Sequence, residues 1–276
     1  LWSRGLGDVY KRQGENILAI EQAILQCTYA GCETIWIVAH REMHPILRQR
    51  IGDMILEYGS YKQTLFAEKL QDQQRRDTSI FYVPIHPKDR DKRDCLAWSV
   101  VYGSLRAFHI SKIISSWVVP DKYFVSFPYG LVSLDSIYQN RSLISSPKNF
   151  YMEYEGKTIR DGEYLPFTFD KEDFKKFRRV IREGTGKYRN VVFDKETNRR
   201  IEAERIPTNE QYSARWFSLD KVFGCATLEG NNVGSTAWYS RVDSWKNYME
   251  YMSSPNSKLV YRPKFFKYHE WSPIGV

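Results

Sequence analysis

Thr34-Ile35-Trp36-Ile37-Val38-Ala39 is apolar after its first residue and shows no alternation with polar residues. Such a run reads as a strand buried on both faces, since a half-solvated strand alternates. Ile17, Ile20, Ile24 and Gln26-Cys27 precede it at helical spacing, and Gly31 supplies the stop for that helix. Outward from this unit the pattern repeats. Leu47, Ile51, Met54, Ile55 and Tyr58 fall on one helical face ahead of the strand Ile80-Phe81-Tyr82-Val83. Leu96, Val100, Gly103 and Ala107 mark a third helix ahead of the strand Tyr123-Phe124-Val125-Ser126-Phe127. Apolar strands separated by helices predict an α/β fold with a Rossmann-like, mostly parallel sheet and helices on both of its faces.

The chain divides into three stretches. Asp8-Val9-Tyr10-Lys11-Arg12-Gln13 is the translation of a transposase end sequence used in building DNA libraries, and Ser3-Arg4-Gly5-Leu6-Gly7 continues that adapter upstream. Residues 1–13 are therefore set aside, and the natural sequence is expected to begin near Gly14 and to lack what preceded it. Residues 14–142 are expected to form an α/β, nucleotide-binding half. Residues 143–276 change in character and are expected to pack as an α+β elaboration on the same sheet. There, Phe150–Tyr154 and Tyr164–Phe169 flank Arg160-Asp161-Gly162 as a hairpin-like pair of strands. Phe174, Phe177, Val180 and Ile181 mark a helix, and Asn190–Phe193 with Arg200–Ala203 a second hairpin. Trp245, Tyr248, Met249 and Met252 lie on one side of a last amphipathic helix, with Asp243 or Ser244 as its N-cap.

The formal charge of +8 falls to about +6 once Arg4, Lys11, Arg12 and Asp8 are set aside, and it favours phosphorylated or polyanionic partners. The cations are scattered among acids, as in Lys88-Asp89-Arg90-Asp91-Lys92-Arg93-Asp94, so nucleic acid is not the expected partner. No apolar run reaches the ~20 residues that span a bilayer, so no membrane partner is expected and a cytoplasmic location is. Cys27, Cys32, Cys95 and Cys225 lack paired metal-ligand spacing and read as buried reduced thiols.

In an open parallel sheet the ligand crevice lies beyond the carboxyl ends of the strands, which selects the loops His40–His44, Ile85–Asp94 and Pro128–Asp135. Their polar residues are His40, His86, Lys88, Arg90, Arg93, Asp94, Tyr129 and Asp135, a set suited to a nucleobase and phosphate. His40-Arg41-Glu42-Met43-His44 is not a zinc-protease motif, because its glutamate is misplaced and the segment leaves a strand. Neither a phosphate-binding P-loop, nor G-x-S-x-G, nor G-x-G-x-x-G occurs.

In order along the chain, these blocks resemble those of sugar-phosphate nucleotidyltransferases. The helix ending in Ala30-Gly31-Cys32 and the strand Thr34–Val38 are similar to the family's second block, which follows its nucleotide loop. Asp94 to Ala107 resembles the helix after the base-binding loop. Lys122 to Ile137 is similar to the strand that ends in a metal-binding aspartate, and Trp238 to Tyr248 to the late D-I-G-T-P-E-x-Y segment. The resemblance implies a fold of the nucleotide-diphospho-sugar transferase type. It also implies transfer of a nucleotidyl group from a nucleoside triphosphate to a phosphorylated sugar, with release of pyrophosphate and with Mg²⁺ held by carboxylates. Here Tyr129 stands at the first aspartate and Arg241 at the second, and an arginine repels a metal while attracting phosphate. The implied site is thus His86 and Asp94 for base or ribose, Arg93 and Arg241 for phosphate, Tyr129 beside the nucleotide, and Asp135 with Asp243 for Mg²⁺. The family's glycine-rich loop would precede Gly14, so this stretch alone is expected to be inactive.

Two other readings stand beside it. A non-catalytic nucleotide- or sugar-binding scaffold or assembly protein, of the kind phages encode, suits the 15% aromatic content and the basic tail from Lys258 to Lys267. A nucleotide-sugar-dependent glycosyltransferase would use the D-x-D spacing of Asp89-Arg90-Asp91.

Overall fold

The computed structural model describes residues 12–13, 17–56, 77–87, 89, 95–185, 188–194, 197, 199–205 and 217–259. The chain enters through a short antiparallel pair, β1 (Arg12–Gln13) and β2 (Ile17–Leu18). Helix α1 (Ala19–Ala30) buries Ile24, Leu25 and Tyr29 and is closed by Gly31, the stop read from the sequence. Its Glu21 is fully buried. One carboxylate oxygen accepts the Leu18 amide at 2.7 Å and the other accepts Arg50 Nε at 2.9 Å, so the charge is both capped and paired.

Strand β3 (Thr34–Ala39) follows as expected, then helix α2 (His44–Ile51). The helix expected to run from Leu47 through Met54 and Ile55 stops at Ile51. Gly52 at φ 86° and ψ −171° adopts a backbone conformation open in practice only to glycine, and Met54 and Ile55 lie in β4 (Met54–Leu56). Tyr58 lies outside the described residues. β4 runs antiparallel to β5 (Asp77–Pro84), and β5 runs parallel to β3 with Trp36 opposite Phe81. Helix α3 (Leu96–Ile114) lies against β3, close enough that Gly103 faces Cγ2 of Val38.

The parallel arrangement ends there, and the Rossmann-like sheet expected from the sequence is not what forms. Strand β6 (Lys122–Val125) joins neither β3 nor β5. After it come β7 (Gly130–Val132), α4 (Leu134–Gln139), α5 (Arg141–Ser145), β8 (Phe150–Glu153) and β9 (Phe167–Asp170). β6 pairs antiparallel with β9, β9 antiparallel with β8, and only β12 (Asn232–Ser235) is parallel to its neighbour β8, in the order β12-β8-β9-β6. The fold is mixed α/β with small, separate sheets. The physical reason lies in the aromatic side chains around β6. Tyr123 packs on Phe169 and Phe127 stacks on Phe167, with ring centroids 5.4 and 6.4 Å apart, and every residue of β6 is only half-buried, as suits an edge strand.

Helix α6 (Lys171–Thr185), the hairpin β10 (Tyr188–Phe193) with β11 (Arg200–Arg205), and α7 (Leu219–Phe223) complete the second half, with β13 (Tyr239–Arg241) paired antiparallel to β7. Helix α8 (Trp245–Ser253) is capped by Ser244, which accepts the Asn247 amide. Its apolar side chains do not face the core as the spacing suggests. Tyr251 is buried, whereas Trp245 and Met249 are exposed. One core gathers α1, β3, β5, β7 and α4; the other gathers α3, β9, α6 and α7 around Phe167, Phe177 and Phe223. Of the cysteines read as buried thiols, Cys225 is exposed and the others are half-buried; all four are free. No helix among the described residues is long and apolar enough to cross a membrane.

Candidate functional site

A cavity of about 610 Å³ opens where β3 and β5 meet α2 and α3. Parallel register places Trp36 beside Phe81, and their rings stack with centroids 4.4 Å apart and planes 16° from parallel. Trp36 donates its indole N–H to Thr34 Oγ1 at 3.1 Å, which fixes the ring at the cavity wall. Arg41 sits on the single turn that leaves β3, and His44 and Arg48 lie one helical turn apart on α2. Arg106 comes from α3. All four line the cavity.

Arg48 binds Asp53 through Nε at 2.6 Å and lies over the Tyr82 ring, 5.7 Å from its centroid. Arg41 and Arg106 are exposed and make no ion pair among the described residues. Tyr82 donates to the Gly52 carbonyl at 2.6 Å, and burial pushes its phenol up to about 12, so it is neutral at physiological pH. Burial also lowers the pKa of His44, against the opposing influence of the Ala39 and Val83 backbone. The wall therefore combines a flat aromatic pair with arginine forks at its rim, a combination that takes a planar ring and an oxyanion together.

The residues selected from the sequence fall in different places. Tyr129, Arg241 and Asp243 come together. The Val242 amide donates to the Tyr129 carbonyl at 2.9 Å, and Tyr129 and Arg241 both pack on Tyr164, the guanidinium 4.9 Å from that ring's centroid. Arg241 binds Asp243 through Nε at 2.8 Å and Nη2 at 2.5 Å, with Glu163 a further 3.8 Å away. His86 is exposed beyond β5, its carbonyl accepting the Asp89 amide, while Asp135 is exposed in the first turn of α4. Arg93 and Asp94 lie outside the described residues, as do Arg90 and Asp91 of the D-x-D spacing. Because β6 pairs in a different sheet from β3 and β5, the loop Pro128–Asp135 does not follow a strand of the sheet that carries His40–His44 and Ile85–Pro87.

The Mg²⁺ site implied by the resemblance does not fit these residues. Asp243 Oδ2 is taken by Arg241 and Oδ1 accepts Asn247 Nδ2 at 2.8 Å, whereas Mg²⁺ needs free oxygens and no adjacent guanidinium. Among the described residues no group of three His, Cys, Asp or Glu is placed to hold a metal.

Burial would raise the Asp243 pKa, but the hydrogen bonds from Arg241 and Asn247, with the Arg241 charge, hold it below the ordinary value. A folded-state pKa depressed in this way adds stability above the unfolded value of roughly 3.9 and loses it as pH falls through the lowered one. Acid titration of the unfolding midpoint is expected to show that loss, and Arg241→Gln to shrink it. An unchanged acid limb in the variant would remove Arg241 as the cause.

Sequence reasoning marked the loop His40–His44 but named only His40 in it. It missed Arg41, His44, Arg48 and Arg106, which look like ordinary surface cations in one dimension. The available signal was Trp36 and Phe81 at matching positions of two strands. The chain matches no known family model and no curated protein.

Proposed function

We propose that this protein binds a nucleoside phosphate in the cavity between β3, β5, α2 and α3. The observation that carries the reading is the stacked Trp36–Phe81 pair with Arg41 and Arg106, unpaired among the described residues, in one cavity. A nucleobase would stack on the aromatic pair, and its phosphates would take the arginine forks. The volume is of the size that holds such ligands, roughly 300–1,000 Å³. A nucleotide ligand also suits the cytoplasmic location expected from the sequence. This is the binding reading of the sequence analysis, on a fold of small mixed sheets. Nucleotidyl transfer to a phosphorylated sugar would extend it, and the tie between Asp243 and Arg241 favours binding alone.

The test is calorimetric titration of the full chain with ATP, GTP, CTP and UTP, with and without Mg²⁺. At least one is expected to bind, and Trp36→Ala to weaken it by about tenfold to a hundredfold, the ~1–3 kcal/mol that a base–aromatic stack contributes. Failure of all four to bind, or full binding by both Trp36→Ala and Arg106→Gln, would overturn the reading. Pyrophosphate release on adding a sugar 1-phosphate would extend it to transfer.

A further inference from the structure

Along the chain, Lys171-Glu172-Asp173-Phe174-Lys175-Lys176-Phe177-Arg178-Arg179-Val180-Ile181-Arg182-Glu183 mixes both signs of charge. Helix α6 sorts them. At about 100° per residue, Arg178, Lys171, Arg182, Lys175 and Arg179 fall in succession within about 100° of the helix circumference, with no acid among them. All five are exposed. Asp173 points the other way. It is buried, where it accepts from Asn149 at 3.0 Å and from Lys176 at 2.8 Å. Glu172 and Glu183 flank the arc on one side, Glu172 binding Lys175 at 2.7 Å. Lys171, Arg178, Arg179 and Arg182 make no ion pair among the described residues.

We infer that this face of α6 is a docking surface for the phosphate backbone of duplex DNA. From Lys171 to Arg182 the stripe is about 16 Å long, and a duplex presents a phosphate about every 3.4 Å along each strand, so the length spans several phosphates. The helix is held rigidly from behind: Phe177 and Ile181 are fully buried and Asp173 nearly so. A fixed row of cations suits a stiff polyanion better than a flexible single strand. The same burial disfavours a membrane, because an interfacial helix inserts its apolar face and the apolar face of α6 is already committed to the core. The surface is built from residues other than those of the cavity, so the inference stands independently of the nucleotide reading.

The experiment is fluorescence anisotropy of the full chain with a labelled 20-base-pair DNA duplex, between 50 and 200 mM salt. The logarithm of affinity is expected to fall against the logarithm of salt with a slope of about −4, as four or five phosphates are neutralised. Arg178→Gln/Arg182→Gln is expected to flatten that slope by about 2. Lys246→Gln, at an exposed pair with Glu250 on α8, is expected to leave it unchanged. Thermal melting checks that both variants fold, as is expected because the replaced side chains are exposed. No binding at 50 mM salt, an unchanged slope in the double variant, or tighter binding to a single strand or to phosphatidylserine vesicles would each overturn the inference.

Discussion

Phe167→Ala is expected to destabilise the protein by about 3–5 kcal/mol, the range for emptying a buried aromatic site. Phe167 is fully buried at the start of β9, with the rings of Phe127, Tyr151, Phe169 and Phe223 within 6.4 Å of its own, centroid to centroid. Those neighbours come from the loop after β6, from β8, from β9 itself and from α7. They cannot all move inward to fill the gap, so the cost belongs at the upper end of the range. Denaturant unfolding followed by circular dichroism measures it, as a large fall in midpoint with the slope unchanged. A loss below 1 kcal/mol would show that the second core does not depend on this ring.

Gly130→Ala is the second large effect, and it arises from excess volume. A Cβ at this position would lie 1.9 Å from the Tyr164 carbonyl oxygen and 2.7 Å from Tyr164 Cβ. Backbone on the far side cannot swing away as a flexible side chain would. Gly130 has no room to retreat either: its carbonyl accepts Gln26 Nε2 at 3.1 Å and its strand position is paired with Arg241. The expected cost is about 3 kcal/mol, the upper end for overpacking. It should also displace β13 and with it the Arg241 guanidinium stacked on Tyr164. Unfolding midpoints check the energy, and a change in tyrosine fluorescence reports the displaced stack. A stable variant with unaltered fluorescence would mean that β7 and the 164 segment are not locked together.

Elements whose signal is local were legible in the sequence. The helix closed by Gly31, the strand Thr34–Ala39, the helix around Phe177, the hairpin across 188–205 and a cap at Asp243 or Ser244, which Ser244 supplies, all rest on spacing within a few residues. Which strand lies beside which was not legible, because an apolar strand states that it is covered but not by what. Tyr123–Phe127 reads equally well as a third parallel strand or as the edge that β9 covers with Phe167 and Phe169. Met54 and Ile55 continue a helical spacing by coincidence, and only the Gly52 conformation separates helix from strand there. Tyr129 and Arg241 meet on Tyr164, outside the cavity lining, and Arg241 spends its charge on Asp243. The cavity arginines were not legible as a group because they come from two stretches far apart in sequence, Arg41 with Arg48 in one and Arg106 in the other.

The parallel pairing of β12 with β8 also bears on how the protein is made. β8 and β9 emerge from the ribosome well before Asn232–Ser235, so β8 waits with one hydrogen-bonding edge uncovered until its last neighbour is synthesised. At roughly 5–20 residues per second that delay is on the order of seconds, long enough for chaperones or a second nascent copy to meet the bare edge first.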